Sequence, residues 1–251
     1  MPLLESQSLK VLNRNQLKYI AILAMVCDHV AHTFVPESSV WYMIMRFIGR
    51  ITGPVMAYMI AEGYAHTHDL KRYILRLGIF SIISWYPYCM FAVGRFPEWK
   101  FSVITTLLLG LICICVYESK ELSLNIDENR HPNFDLAIKS IIITWICVLS
   151  WLCDWSFCVV LMVLFAHVFR GQPQKQLISY LFCAFAHIQV HRILSGKFYW
   201  YNLGIIIPII LIFFFYNGQS GSKHPFHKWF FYIFYPLHLY IIYLISKFCV
   251  I

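Results

Sequence analysis

Apolar runs of membrane-spanning length recur from Leu17 to the end of the chain, and no hydrophilic stretch between them exceeds roughly 20 residues. That limits the fold severely, because a backbone in lipid must satisfy its own N–H and C=O groups. Composition agrees: 60% hydrophobic, 18% aromatic and only 13% charged residues lie outside the soluble globular range. The reading is all-α, a polytopic transmembrane helical bundle of about nine spans (eight to ten), forming one domain over residues 1–251. Aromatic residues gather at run ends, as in Trp85-Tyr86 and Tyr199-Trp200-Tyr201, where an interfacial belt would put them.

The expected spans are residues 17–35, 40–61, 72–93, 101–117, 138–152, 155–169, 177–195, 200–216 and 229–247. The pair around Asp154 is short and reads either as two short helices or as a re-entrant hairpin. With the N-terminus in the cytoplasm, thirteen lysines and arginines fall on the inner side and five on the outer side. That bias places the N-terminus inside, the C-terminus outside and the hydrophilic segment from Glu118 to Lys139 in the cytoplasm of a cell whose inner membrane holds the chain. The first 18 residues lack a cleavable signal pattern, so the first run is expected to remain as a helix. An internal duplication of the kind common in secondary transporters is not visible.

The second run carries the most expensive residues. Arginine at mid-span costs roughly 2.5–3.5 kcal/mol on insertion scales, and RFIGRITGPVMAYMIAEGY holds Arg46 and Arg50 one turn apart, hence on one helix face. That face should point into the bundle, where guanidinium forks can grip a carboxylate, a phosphate or a developing oxyanion. Gly49, Gly53 and Pro54 follow, so a neighbour can approach closely and the helix can bend or break there. Glu62, near the inner end, would pair with Arg46 or a loop lysine.

Asp28 and His29 in the first run lie about eleven residues in, roughly 17 Å deep at 1.5 Å per residue. Neighbouring helix positions diverge by about 100°, so Asp28 is expected to pair with Arg50 or Arg46 rather than orient His29. His238 lies near mid-depth of the last run behind Pro236, which frees a backbone carbonyl one turn earlier. The turn from Tyr216 to Lys228 combines Asn217-Gly218 and Gly221 with Lys223, His224, His227 and Lys228, and could hold a phosphorylated ligand at the inner face. Thr105 and Thr106 in the fourth run are read as bonding their own helix. The nine cysteines show no spaced Cys/His signature, so a metal site is not expected and they read as small apolar fillers. The net charge of +8 is spread over many short loops, which argues against nucleic acid as a partner.

On these residues alone a buried imidazole and two guanidiniums fit acyl transfer, small-anion transport or channelling, and a non-catalytic accessory subunit whose polar residues bind partner helices. The ordered set DH in the first run, RFIGRITGPVMAYMIAEGY in the second, TTLLLG, Asp154-Trp155, YNGQSG and FYPLHL resembles the TraX family over nearly the full chain. That family is associated with acetylation of pilin N-termini and is similar to the wider multi-spanning acyltransferases. The resemblance implies a membrane-embedded O- or N-acyltransferase taking an acetyl group from cytoplasmic acetyl-CoA to an amine or hydroxyl of a pilin or cell-envelope glycan. His29 would be the base, with Asp28 and Arg50 beside it in the catalytic set. Arg46 and Arg50 would contact the donor or the oxyanion, and Glu62, Asn217, Lys223 and His238 are the further expected contacts to the coenzyme A thioester. The pattern departs from those families in lacking an arginine inside the first span ahead of His29, since Arg14 and Lys18 lie at its cytoplasmic edge.

Overall fold

The computed structural model describes residues 9–119 and 132–249, which leaves most of the hydrophilic segment from Glu118 to Lys139 outside the described residues. Among the described residues every regular element is helical, and the two bridges, Leu12–Tyr216 and Phe101–Cys153, are isolated ones. In order the helices are α1 Arg14–Phe34, α2 Val40–Gly49, α3 Thr52–His66, α4 Leu70–Ala92, α5 Val103–Glu118, α6 Pro132–Leu149, α7 Ser156–Val168, α8 Pro173–Ser195, α9 Ile206–Ile210 and α10 Pro225–Cys249. Five segments are long and apolar enough to cross a membrane: α1, α4, residues Asp135–Leu152, α8 and Pro225–Phe248 of α10. These five lie among the nine expected crossings, with shorter apolar helices Val103–Glu118, Ser156–Val168 and Trp200–Phe215 packed among them.

Local chemistry accounts for the boundaries. The Asn13 side chain accepts from the Gln16 N–H at 3.0 Å while Gln16 accepts from the Asn13 N–H at 2.9 Å, a capping box that starts α1 before its apolar run. Asp69 accepts from the Arg72 N–H at 2.9 Å and starts α4. The expected second span is two helices, not one. Pro54 has no N–H to donate to the Arg50 carbonyl and its ring crowds that carbonyl, so α2 ends at Gly49 and α3 begins at Thr52, with Arg50 and Ile51 in a tight turn between them. The run from Trp200 to Phe215 is likewise irregular, passing from a 3₁₀ turn through α9, which holds Pro208, to a π turn at Leu211–Phe215. At Asp154 the chain forms two separate helical runs joined by a short connection.

The helices pack through small residues. A Cβ on Gly110 of α5 would lie 2.7 Å from the Val163 side chain of α7, and one on Gly204 would lie 2.0 Å from the Phe47 carbonyl of α2. Glycine at these points lets backbones approach to a distance that no other residue permits. α1 packs against α2, α3 and α10, α3 and α5 both pack on α7, and α4 packs on α10. The outward faces carry Ile82 of α4, Trp145 of α6, Phe182 and Phe185 of α8 and Phe248 of α10, all exposed in the isolated chain, as lipid-facing residues should be. The eight cysteines from Cys27 to Cys183 are all unpaired.

Candidate active site

α1 and α2 meet at Asp28. Arg46 Nη1 donates to Asp28 Oδ2 at 2.7 Å, and Arg50 Nη2 reaches Oδ1 at 3.5 Å. A Cβ on Gly49 would stand 2.2 Å from Asp28 Oδ1, so the carboxylate occupies the space that the missing side chain leaves. Tyr42 and Tyr201 rings lie 5.8 and 5.3 Å from the Arg46 guanidinium, and Trp155 and Tyr201 rings lie 5.1 and 5.4 Å from that of Arg50. One carboxylate thus faces two guanidiniums, and aromatic faces supply part of the remaining compensation.

His29, one residue on, is turned the other way. Its Nδ1 lies 2.8 Å from Nε2 of His238 on α10, the two rings are parallel to within 6°, and His238 Nδ1 lies 3.0 Å from the Phe234 carbonyl. His29 lines a cavity of about 510 Å³ together with Asp28, Arg46, Arg50, Asp154 and Trp155. His238 sits behind it, outside that lining.

The far wall comes from the Asp154 connection. The Asp154 N–H donates to the Phe101 carbonyl at 2.9 Å, the Phe101 N–H donates to Leu152 at 2.8 Å, and the Thr106 hydroxyl donates to the Asp154 carbonyl. Trp155 and Ser156 then adopt left-handed backbone angles, φ 68° and 46°, which cost a bulky residue on the order of 1–3 kcal/mol. The strained turn places the indole against Arg50 on one side and His187 on the other, the latter stacked at 5.1 Å. Gly53 makes room for it, since a Cβ there would fall 2.6 Å from the indole. The Asp154 carboxyl faces the cavity without an ion pair among the described residues, and burial pushes its pKa up to about 6 against the pull of Arg50.

A second cavity of about 400 Å³ opens at the other end of α1. Arg14, Lys18, Arg76, Lys223 and Lys228 line it with His224 and His227, and among the described residues no aspartate or glutamate does. Met25, Thr52, Val103 and Tyr235 line both cavities, so a wall about one side chain thick separates the two.

A family profile described as TraX protein matches residues 13–246, from the cap of α1 to the last turns of α10. This chain belongs to the TraX family. It is 28% identical over 239 residues to a protein of Dichelobacter nodosus named "Probable fimbrial assembly protein FimC, serogroup H1", covering 89% of this chain and 91% of that one. No solved structure matches it.

In this TraX chain the expected site residues divide into three groups. Asp28, His29, Arg46 and Arg50 converge on the first cavity, and Lys223 lines the second. His238 backs His29 and is not positioned as a cavity contact; its Nδ1 partner is the Phe234 carbonyl, not the Tyr232 carbonyl that Pro236 leaves free. Glu62 and Asn217 lie outside both linings. Glu62 pairs neither with Arg46 nor with a lysine: Arg14 Nη2 lies 3.3 Å from Oε2, Arg170 Nη2 lies 3.4 Å from Oε1, and the Tyr216 hydroxyl donates to Oε2 at 3.1 Å. The reason is position, because α2 and α3 carry Arg46 and Glu62 toward opposite ends of α1 and leave Arg46 beside Asp28. The Asn217 side chain closes its own turn by accepting from the Gln219 N–H at 2.9 Å. Thr106 and Thr105 bond off their helix, to Asp154 and to the Ser81 hydroxyl at 2.7 Å. His187 and His191 line the first cavity although sequence reasoning passed over them; their i, i+4 spacing on α8 is the signal that shows a shared face.

Proposed function

We propose that this chain is an integral-membrane acyltransferase that moves an acetyl group from cytoplasmic acetyl-CoA to an amine or hydroxyl of a pilin or other cell-envelope acceptor, with its N-terminus in the cytoplasm and nine crossings. The observation that carries this reading is the placement of His29 and two guanidiniums around one cavity, with an acid-free basic cavity on the other side of a four-residue wall. Lys18, Arg76, Lys223 and Lys228, in a lining without a carboxylate, suit the phosphates of a coenzyme A thioester, while Arg14 beside them is paired with Glu62. The positive-inside bias of the loops supports a cytoplasmic position for that basic end. The fimbrial-assembly name of the relative, and the family itself, point to a pilin as acceptor class.

In this mechanism the acceptor nitrogen or oxygen attacks the thioester carbonyl carbon as the His29 imidazole takes its proton. The carbonyl oxygen gains negative charge beside Arg50 and Arg46, whose fixed donors stabilise it. Collapse of that adduct breaks the C–S bond, and the thiolate leaves with the proton that His29 held. Asp28 keeps the two guanidiniums aimed and limits the repulsion between them.

The test uses the full chain in detergent or proteoliposomes with labelled acetyl-CoA and a pilin N-terminal peptide. Label should pass to the peptide, and His29→Ala should lower the rate on the order of 10²–10⁴-fold. Wild-type rates in His29→Ala would remove His29 as the base, and counterflow of a small anion with no acyl turnover would overturn the enzymatic reading.

A further inference from the structure

Two hydrogen bonds in series determine which nitrogen of His29 carries a proton. The Phe234 carbonyl can only accept, so His238 Nδ1, 3.0 Å away, must be protonated and donate to it. A neutral His238 then presents a lone pair at Nε2. The group 2.8 Å from that lone pair is His29 Nδ1, which must in turn carry the hydrogen and donate. The opposite assignment would need a doubly protonated His238, a cation with no carboxylate in ion-pair distance among the described residues and a side chain that is buried. What remains on His29 is Nε2, unprotonated, with no hydrogen-bond partner among the described residues, on the residue that lines the cavity.

We infer that His238 is a positioning residue: through the chain Phe234 carbonyl, His238, His29 it locks His29 in the tautomer whose free lone pair, at Nε2, faces the cavity. This rests on the reading of His29 as the base and adds to it the atom that takes the proton. The arrangement orients a base through a neutral ring and a carbonyl, where a carboxylate would be the commoner partner. A neutral partner adds no charge beside the Asp28 carboxylate and the two guanidiniums, whose balance an extra anion would upset. The parallel ring planes and the flanking Phe234 and Phe91 rings, 5.2 Å from His238 and 4.9 Å from His29, leave little freedom for either imidazole to turn.

The experiment compares wild type, His238→Phe and His238→Gln, with His29→Ala as the reference for loss of the base. Phenylalanine keeps the ring between its neighbours but accepts no hydrogen bond, whereas glutamine can offer its amide oxygen close to where Nε2 stood. ¹⁵N NMR of histidine-labelled protein should show a His29 pair with Nδ1 protonated and Nε2 bare in wild type and in His238→Gln, and a mixed or reversed pair in His238→Phe. Acetyl transfer should fall on the order of 10²-fold in kcat for His238→Phe with KM for acetyl-CoA unchanged, and His238→Gln should recover at least a tenth of the wild-type rate. A bare Nδ1 on His29 in the wild-type spectrum, or an unaltered tautomer and kcat in His238→Phe, would overturn the inference. If His29→Ala keeps full transfer, the reading of His29 as the base fails instead, and the wild-type NMR assignment still decides the tautomer.

Discussion

Gly49 is the point at which one methyl group would do the most damage. A Cβ there would stand 2.2 Å from Asp28 Oδ1 and 2.4 Å from Asp28 Cβ, against the 3.4–4 Å of an ordinary contact. Gly49→Ala must therefore move α1 and α2 apart by more than about 1 Å, and overpacking of that kind costs about 1–3 kcal/mol. The same movement stretches the 2.7 Å bond between Arg46 and Asp28, a charged hydrogen bond worth about 1.5–3 kcal/mol. The sum is about 2.5–6 kcal/mol, and at about 2–4 °C per kcal/mol for a chain of this size the melting temperature should fall by roughly 5–24 °C. The control is Gly78→Ala in α4, where nothing lies within 4 Å of the added carbon and the gain in helix propensity should stabilise by about 0.5–1 kcal/mol. Both variants can be melted in detergent with a thiol-reactive dye that reports the buried cysteines Cys113 and Cys183. A Gly49→Ala protein that melts within about 1 °C of wild type would refute the close α1–α2 packing and, with it, the charge cluster.

Arg46→Gln should cost more stability than Arg50→Gln, about 3–5 against 1–2 kcal/mol, because Arg46 holds the short bond to Asp28; Arg50→Gln should instead lose more acetyl transfer, on the order of 10²-fold, and equal effects of the two in thermal melts and label transfer would separate neither role. The folded Asp154 carboxyl holds its proton up to about pH 6 and an unfolded one only to about 3.8. Between those values the folded state binds more protons, so stability falls as the pH rises through the window, and Asp154→Asn should melt higher than wild type at pH 8 but not at pH 4. Bulk in the wall between the cavities, as in Val103→Trp, should leave acetyl-CoA binding by calorimetry within about twofold of wild type while transfer drops at least about tenfold, because in the proposed reaction the thioester must cross that wall to reach His29; a parallel loss of binding would refute this.

What the sequence makes legible is local. Arg46 and Arg50 share a face because they are four residues apart, Pro54 predicts the break that separates α2 from α3, and the divergence of adjacent helix positions sends Asp28 toward the arginines and His29 away from them. The partners that remained hidden are those chosen by packing over long separations. Glu62 is surrounded by Arg14, 48 residues earlier, and by Arg170 from the turn before α8, and no spacing rule within one helix links those positions. Thr106 reaches the Asp154 carbonyl across the same number of residues, because Phe101 anchors the connection between α6 and α7 against the start of α5.

The two ends of α1 show why these hidden partners matter. At the basic end, Glu62 neutralises Arg14 and Arg170 through contacts outside the cavity lining, so the cavity keeps cations without gaining an acid. At the other end, Asp28 is drawn into the arginine pair and leaves Asp154 as a carboxyl facing open space. Removing Glu62 would leave Arg14 unpaired in the lining of the basic cavity, release Arg170, and loosen the joint where the N-terminal segment, Tyr216 and the α7–α8 turn meet. Had Glu62 paired with Arg46, as its place in the second run suggests, both the basic cavity and the base-bearing cavity would lose the charge pattern that distinguishes them. One acid near each end of α1, Asp28 held by Arg46 and Arg50 and Glu62 held by Arg14 and Arg170, leaves a carboxylate-free basic lining at one end and the His29 imidazole in the cavity at the other.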